Sequence, residues 1–324
     1  MPSEGASCPP LSVAAGAPGA VMLDGASIRA LRRALLDWFR PDARILPFRA
    51  STDPYAILVS EAMAQQTQAA RAGEAWTGFM AEFPTVEALA AASPADVLRA
   101  WQGLGYNRRS LDLRRAARRI VDEFGGCVPS DLASLESLPG VGTYTARAVA
   151  ALAFGMPVGA VDTNVRRVLG RIVAGETGVL TPTELQRFAD AAVPPDHPGD
   201  WTHAVMDVGA TLCRPRRPDC EACPARPWCR HATAAAAGTE GRRPAVTAVR
   251  ARAAPFRTTS RWLRGRILDR LREASDGAWV VLDESIGEHD PVAVERAARS
   301  LAKDGLLELD GLAPGMVRAR LPLA

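Results

Sequence analysis

The stretch Leu138-Pro139-Gly140-Val141-Gly142-Thr143 decides the fold, because it predicts a tight connection between two helices. Gly140 and Gly142 permit the positive backbone dihedral angles that such a turn uses. The helix that begins near Thr143 would direct free N–H groups outward, which makes a natural phosphate site. An ordinary helix–helix connection is the alternative, but an amphipathic helix directly after Leu-Pro-Gly-Val-Gly is a more specific pattern. The stretch therefore predicts a helix-hairpin-helix that grips phosphate through Gly140, Val141, Gly142 and Thr143.

The sequence on both sides of this stretch is helical almost throughout, from residue 28 to residue 230. Apolar residues recur at helical spacing, and most breaks carry Pro or Gly. No strand pattern is present in this span, so a mainly α fold is expected. The predicted helices cover residues 30–40 (ended by Pro41), 55–70, 71–82, 85–91, 94–101, 108–124, 131–137, 143–154, 163–174, 182–192 and 200–212.

Four cysteines downstream form a compact run with the spacing C-x6-C-x2-C-x5-C. They are Cys213, Cys220, Cys223 and Cys229. Thiolates this close together cannot all pair as disulfides without strain. Structural zinc sites usually show two C-x2-C pairs separated by a long loop, and here only one such pair is present. Four soft ligands suit the corners of a [4Fe–4S] cluster. The run therefore predicts a [4Fe–4S] cluster, with structural zinc or unrelated thiols as the alternatives.

The composition is that of an ordinary globular protein, with 48% hydrophobic and 23% charged residues among 324. The net charge of +3 does not by itself indicate nucleic acid, but local clusters of arginine suit phosphate oxygens. A solvated helical face is an equally good interpretation of the first cluster. The clusters are Arg99, Arg108, Arg109, Arg114, Arg115, Arg118 and Arg119, and, inside the cysteine run, Arg214, Arg216 and Arg217.

Cysteine usage and hydropathy indicate the compartment. Cys8 and Cys127 lie outside the run and show no disulfide pattern, which fits a reducing cytoplasm. No apolar stretch reaches about 18 residues, so no transmembrane helix is expected. Residues 1–24 are rich in Pro, Gly, Ala and Ser and predict a disordered leader. A cytoplasmic, nucleoid-associated protein without membrane contact is expected.

A second, smaller unit follows a predicted linker over residues 231–255. Residues 261–274 and 291–303 have helical patterns, 278–282 resembles a short strand, and 306–309 with 316–321 predict a hairpin. Helix, strand, helix and two-stranded wing is the order of a winged helix. Residues 256–324 therefore predict a small winged-helix-like α+β unit.

The hairpin, the cysteine spacing and Asp162, about twenty residues after the hairpin, together resemble the endonuclease III/MutY superfamily of DNA glycosylases over roughly residues 28–230. The resemblance implies a helix-hairpin-helix glycosylase fold over residues 25–230, with a cluster loop at 213–229. It also implies that Asp162 stabilises positive charge developing on the sugar as the base departs. From its place just before a helix, Asp162 has an N-cap role as its alternative interpretation.

The residue at position 144 indicates the branch of the superfamily. Bifunctional members carry a lysine nucleophile at the position that is Tyr144 here, and the only lysine of this chain is Lys303. Without that amine no Schiff base forms there, so strand cleavage by this route is not expected. A tyrosine at this position is typical of MutY-type adenine glycosylases.

The segment Ser60–Gln68, S-E-A-M-A-Q-Q-T-Q, resembles the MutY segment S-E-x-M-x-Q-Q-T-Q. On the predicted helix Glu61 lies above Ile57 and Leu58, on a semi-apolar face that Gln65 continues. Partial burial would raise the pKa of Glu61 and suit it to protonate a purine N7. A surface glutamate on an amphipathic helix is the alternative.

The remaining resemblances concern base and duplex contacts. Leu46-Pro-Phe48-Arg49 resembles the adenine-pocket L-P-W-R, with Phe in place of Trp. Gly-Leu104-Gly-Tyr106 resembles G-L-G-Y, whose tyrosine wedges into the duplex. The family further implies that Gln66 enters the stack as the base leaves, that Gln65 contacts DNA, and that Asn164 with Tyr144 orients the intermediate. As alternatives, Phe48 and Leu104 are core residues and Tyr106 is a turn aromatic.

These resemblances predict a monofunctional adenine DNA glycosylase of base excision repair. It is expected to act as a monomer on double-stranded DNA with A:8-oxoguanine or A:G mispairs. Typical MutY proteins end in a Nudix-like domain that reads 8-oxoguanine, whereas this tail more closely resembles the short tail of actinobacterial members. The alternatives are a thymine or other mismatch glycosylase on the same fold, and a non-catalytic iron–sulfur protein that binds DNA or senses redox state.

Overall fold

The computed structural model describes residues 23–175, 180–238, 255–313 and 316–323. Within these ranges helices joined by short loops dominate, and one small sheet lies near the C-terminus. Residues 1–22 of the predicted disordered leader and residues 239–254 of the predicted linker lie outside the described residues. No helix in the described part of the chain combines the length and apolar character needed to cross a membrane.

A first group of helices forms the N-terminal lobe around one core. The central helix α2 is apolar on nearly all sides and is therefore surrounded by the others. Asp53 caps it by accepting from the Tyr55 and Ala56 N–H groups, and Pro54 occupies its first position. The helices are α1 (Gly25–Asp42), α2 (Pro54–Ala64), α3 (Ala69–Glu82), α4 (Val86–Ala91), α5 (Pro94–Ala100), α6 (Arg108–Phe124), α7 (Leu132–Ser137) and α8 (Thr143–Ala153), of which α2 to α8 form this lobe.

A second lobe packs α1 against the helices that follow the hairpin. On α9 the residues Val165, Val168, Leu169 and Ile172 recur at helical spacing and are buried together. The cysteine run closes this lobe and packs against its core. The helices that join α1 are α9 (Thr163–Ala174), α10 (Pro182–Ala192), α11 (Pro198–Thr211) and α12 (Arg230–Ala236). Because α12 extends to Ala236, the start of the linker predicted over residues 231–255 is helical.

Two predicted helix ends were wrong. Pro41 does not end the first helix, because it lies in the last turn of α1, which continues to Asp42. The predicted helix 55–70 ends at Ala64, and α3 begins afresh at Ala69. The reason is tertiary: the Arg109 guanidinium donates to the carbonyl oxygens of Ala62 and Gln65 at 2.6 Å each and so completes the end of α2.

The C-terminal unit has the predicted order of helix, strand, helix and two-stranded wing. It comprises α13 (Ser260–Glu273), β1 (Val280–Val281), α14 (Pro291–Lys303), β2 (Glu308–Ala313) and β3 (Met316–Arg320). The strands form an antiparallel sheet in the order β1-β3-β2, with Ala319 facing both Val280 and Leu309. Its apolar core includes Leu98 and Leu111 of the N-terminal lobe, so the unit is packed against α5 and α6.

Candidate active site

A cavity of about 630 Å³ lies between the two lobes. Helix α2 and the start of α8 supply one wall, and the start of α9 with α11 supplies the other. The predicted residues that line it are Leu46, Phe48, Arg49, Glu61, Gln65, Gln66, Tyr144, Asp162 and Asn164. The fold therefore brings together residues from four separate parts of the chain.

Glu61 is buried on α2 at the inner end of this cavity, with 8% of its surface exposed. Its Oε2 atom has no hydrogen-bond partner among the described residues. Burial raises the pKa of Glu61 to about 7, and nearby Asp162 adds to the rise. A hydrogen bond from the Tyr144 hydroxyl and the charge of Arg49 oppose it. The carboxyl group is therefore suited to hold and donate a proton near neutral pH.

Tyr144 is the second residue of α8 and lies beside Glu61. Burial raises the pKa of its hydroxyl well above the ordinary value, and the charges of Glu61 and Asp162 act in the same direction. The hydroxyl therefore stays protonated and acts as a donor toward the carboxylate. This position therefore holds a neutral hydroxyl donor rather than the amine that a Schiff base requires.

Asp162 is the N-cap of α9, so the alternative predicted role is present. Its Oδ1 atom accepts from the Val165 N–H at 2.6 Å, and its Oδ2 atom accepts from the Asn164 amide at 3.3 Å. The cap fixes the carboxylate at the cavity wall, where it lies close enough to Glu61 to raise that residue's pKa. Structural capping and a charge at the cavity are thus compatible in one side chain.

Arg49 lines the cavity, but its terminal nitrogens are occupied by the buried carboxylate of Asp207. Nη1 and Nη2 donate to the two Asp207 oxygens at 2.8 and 2.7 Å, a bidentate geometry. Arg44 adds a third donor to the same carboxylate at 2.5 Å. His203, one turn earlier on α11, has its pKa lowered to about 3 by burial and by Arg49. It is therefore neutral and packs against Phe39.

Sequence reasoning missed Asp207 and Arg44, which hold the 44–49 segment onto α11. An acidic residue inside the apolar helix W-T-H-A-V-M-D-V-G was a usable signal, because a buried carboxylate requires a cationic partner. The partner itself lies 158 residues away in sequence, and nothing local indicates it.

Phe48 meets Trp76 edge-on at 6.4 Å between ring centroids and is only half-buried, so it is both packed and accessible to the cavity.

Gln66 and Tyr106 have the only positive φ angles of non-glycine residues in the described ranges, at 54° and 46°. Such backbone costs free energy and concentrates at functional sites. The guanidinium of Arg109 connects the two, because it bonds the carbonyl oxygen of Gln65 and lies 5.5 Å from the Tyr106 ring. Gln65 donates to Thr145 at 3.1 Å. Leu104 is buried, so its core interpretation fits, while Tyr106 is exposed.

The hairpin joins α7 to α8 as predicted, but its two glycines differ. Gly140 has φ of 77°, whereas Gly142 has φ of −94° and is the extended N-cap of α8. The prediction of a positive angle at Gly142 was therefore wrong. No side chain caps the first turn of α8, so its N–H groups can receive a phosphate oxygen. Val141 is buried and Thr143 is exposed.

Gly140→Ala is expected to lower the free energy of unfolding by about 1–3 kcal/mol, because left-handed backbone disfavours a Cβ atom. The new Cβ would also stand 2.8 Å from the Cβ of Asp112. Gly142→Ala is the matched control: its Cβ meets nothing within 4 Å, and we expect a change within about 0.5 kcal/mol. Urea unfolding of both variants makes the comparison. Equal losses would contradict this description of the hairpin.

Several arginines of the first predicted cluster make hydrogen bonds or ion pairs that stabilise the fold. Arg109 completes the end of α2, Arg114 donates to the Ala92 carbonyl at 2.6 Å, and Arg119 donates to that of Ser137 at 2.6 Å. Arg115 is paired with Asp112. Arg108 stays exposed and has no carboxylate partner among the described residues, so it is available to phosphate.

The four predicted cysteine ligands fit a cluster of soft metal ions. Cys213, Cys220 and Cys223 are half-buried and Cys229 is buried, all against the core of the second lobe. Burial raises the pKa of Cys223 to about 11, and the other three cysteines add to the rise. Metal ligation favours the deprotonated form of cysteine ligands. Arg171 donates to the Cys213 sulfur at 3.4 Å, a charge-assisted contact that suits a thiolate ligand.

A single ion is a different case. Among the described residues no three Cys, His, Asp or Glu side chains are arranged to hold one metal ion. A cubane gives each thiolate its own iron, so its four sulfurs lie farther apart than those around one ion.

Comparison with known proteins agrees with this architecture. A family model for HhH-GPD superfamily base excision DNA repair proteins matches residues 59–195. The adenine DNA glycosylase of Mycolicibacterium smegmatis is 40% identical over 277 residues, which span 85% of this chain and 91% of that protein. The human adenine DNA glycosylase is 42% identical over 219 residues, which span 64% of this chain and 40% of that protein.

A solved structure described as a thermostable thymine-DNA glycosylase shares the fold, with a TM-score of 0.60 and 29% identity. The match covers 64% of this chain and 97% of that one. The helical lobes, the hairpin and these relatives agree, and the chain belongs to the adenine DNA glycosylase family of the helix-hairpin-helix base excision repair superfamily.

Proposed function

We propose that this chain is a monofunctional DNA glycosylase that hydrolyses the N-glycosidic bond of adenine mispaired with 8-oxoguanine or guanine. The observation that carries the proposal is the buried Glu61, with its pKa raised to about 7, beside Tyr144 and near Asp162 in one cavity. A buried carboxyl group that holds a proton near neutral pH is suited to act as a general acid.

Protonated Glu61 donates its proton to N7 of an adenine held in the cavity. The bond between C1′ and N9 then breaks, and its electron pair leaves with the base, which is a neutral leaving group because N7 is protonated. Tyr144 holds the resulting Glu61 carboxylate through its hydroxyl. Leu46 and Phe48 supply apolar and aromatic contact for the base, and Arg49 fixes their segment through Asp207.

Asp162 supports the second half of the reaction. Its carboxylate stabilises positive charge on the sugar as the base departs, and the Asn164 amide holds it in place. Water adds to C1′ and gives up a proton to a carboxylate, which leaves an abasic site. The chain has no lysine near the cavity, since Lys303 belongs to α14, so no Schiff-base intermediate forms there and no strand cleavage by that route follows.

The target adenine must leave the stack, because the bond cannot be reached inside a duplex. We assign phosphate contacts to Gly140, Val141, Gly142 and Thr143 at the start of α8. Gln66 and Tyr106 support the distorted duplex, and their positive φ angles are consistent with such a role. Catalysis is assigned to residues 25–230, acting as a monomer associated with the nucleoid.

The [4Fe–4S] cluster is part of the proposal. Cys213, Cys220, Cys223 and Cys229 would hold it, and it would supply structural order to a loop that carries Arg214, Arg216 and Arg217. Iron and inorganic sulfide assays of the purified protein test this assignment, and equal amounts of the two are expected. Zinc in their place would contradict it.

The test uses end-labelled duplexes that carry A:8-oxoguanine, A:G, A:C, T:G or A:T, each incubated with the protein and then treated with or without hot alkali. Alkali-dependent breaks at adenine opposite 8-oxoguanine and guanine are expected. Breaks without alkali would contradict the monofunctional assignment. Breaks at T:G would instead indicate excision of thymine, the activity in the description of the structurally similar thymine-DNA glycosylase. Tight binding without cleavage would favour the non-catalytic alternative.

A further inference from the structure

A second, larger cleft separates the C-terminal unit from the loop at residues 103–109. Its volume is about 870 Å³. Helix α13, with residues at the end of α14, forms one wall, and the loop with Gln66 and Arg71 forms the other. Gln66 and Tyr106, the two non-glycine residues with positive φ in the described ranges, line this cleft, so the C-terminal unit borders the proposed duplex-supporting residues directly.

The cleft is held in shape by polar contacts and by a shared apolar core. The side chain of Arg272 on α13 is 5% exposed, and it donates to the Leu98 carbonyl at 2.9 Å and to the Asn107 side chain at 2.7 Å. Asp276 pairs with Arg99 at 2.6 Å. Leu98 and Leu111 complete the core of the C-terminal unit. The two walls therefore keep a fixed spacing.

The charge in the cleft is positive, because its carboxylates are already paired. Asp112 pairs with Arg115, Asp269 with Arg266 and Arg272, and Asp304 with Arg264. Three exposed arginines of the lining have no carboxylate partner in the described part of the chain. They are Arg71, Arg108 and Arg261. A polyanion is the ligand that such a surface favours.

Arg261 is the member of this set that contacts Tyr106. Its guanidinium lies 4.1 Å from the centroid of the Tyr106 ring, and Arg109 lies 5.5 Å from the same centroid. A planar cation on an exposed aromatic face occupies the place where a nucleobase would stack. Tyr106 is 44% exposed and has a positive φ angle, a backbone conformation that concentrates at functional sites.

We propose that this cleft is a duplex-binding surface in which Arg261 moves from the Tyr106 ring to a backbone phosphate when DNA enters. The exchange gives the guanidinium a stronger partner and frees the ring to contact a base. It makes the C-terminal unit a DNA-gripping element that acts through α13. The inference rests on the proposed function only in taking DNA as the ligand, and it needs no excision.

The test measures binding of the full chain to an undamaged, fluorescently labelled duplex over a range of KCl concentrations. Because no turnover is involved, failure of the proposed excision activity would not affect it. Arg261→Ala is expected to weaken binding about threefold to tenfold at low salt. It should also reduce the slope of log K against log salt by ~0.9, the contribution of one phosphate contact. Arg261→Lys should retain most of the slope.

Arg296→Ala is the matched control, because Arg296 is an exposed arginine of α14 with no carboxylate partner among the described residues. Its salt slope should equal that of the unmodified chain. A reduced slope in this variant with none in Arg261→Ala would overturn the proposal, because the unit would then bind through its second helix. Thermal melting of each variant verifies folding.

Measuring the effect of Arg261→Ala in a chain that also carries Tyr106→Ala separates two roles for Arg261, binding phosphate and holding the ring. If Arg261 binds phosphate, its removal reduces the salt slope by the same amount in that background. If Arg261 only holds the ring, its removal has no effect once the ring is absent, and that result would contradict the proposal.

Discussion

Asp162→Asn is expected to lower the single-turnover rate of adenine excision by about 10³-fold while duplex affinity stays within about threefold. The amide keeps the shape of the carboxylate but loses the charge that would stabilise the sugar, and loss of one preorganised electrostatic contact costs on the order of 10²–10³ in rate. Single-turnover cleavage of an A:8-oxoguanine duplex and fluorescence anisotropy measure the two quantities.

The fold should tolerate this change, because asparagine caps helices about as well as aspartate. Asp290→Asn is the matched control: Asp290 caps α14 by accepting from the Ala293 N–H at 2.8 Å, and it lies outside the cavity. Unchanged thermal stability in both variants, with loss of excision in Asp162→Asn alone, is the expected result. Full excision activity of Asp162→Asn would show that Asp162 acts only as a helix cap.

Glu61→Gln is expected to reduce excision by about 10²–10⁴-fold, the usual contribution of a positioned general acid. In the unmodified protein the rate should be constant at low pH and fall tenfold per pH unit once pH exceeds about 7, because the proton that Glu61 donates is then lost. The variant should lack this fall. Single-turnover rates from pH 5 to 9 provide the measurement, and a rate that rises with pH would assign Glu61 to base catalysis instead.

Glu61→Gln should also change how the free energy of unfolding depends on pH. The pKa of Glu61 is raised in the folded state, so the folded protein binds more protons than the unfolded chain between pH 4.5 and about 7. The unmodified protein therefore loses stability as pH rises through this window, by on the order of 3 kcal/mol in total. Glu61→Gln avoids that loss, so its melting temperature should exceed that of the unmodified protein at pH 8 and converge with it at pH 5.

Local sequence was sufficient for several parts of the fold. Pro and Gly at the breaks, and apolar residues at helical spacing, predicted helices such as α6, α9 and α10 at the bounds observed. The order of elements in the C-terminal unit followed from the same patterns. These features depend on residues a few positions apart, and the sequence displays them directly.

Local sequence did not predict the features that depend on contacts with residues far away along the chain. The pattern of α2 continues past Ala64, yet the helix ends there because Arg109, 44 positions beyond Gln65, binds its last carbonyl groups. Arg49 lines the cavity, and its prediction as a DNA or base contact stays a prediction, but the sequence did not indicate that Asp207 engages both of its terminal nitrogens. Neither partner is visible from the sequence near the affected residue, because ion pairs and cap contacts require no particular spacing along the chain.

The sequence by itself determined the family, the hairpin and the cysteine run, and it singled out Glu61 and Asp162 as the proposed carboxyl groups, because each is part of a short motif with its own chemistry. Only the tertiary structure decided that Glu61 is buried, that Tyr144 and Asp162 lie near it, and that α13 brings Arg261 onto Tyr106. Burial, pKa and charge balance depend on what surrounds a side chain in space. For this protein those surroundings come from three packed units that are far apart along the chain.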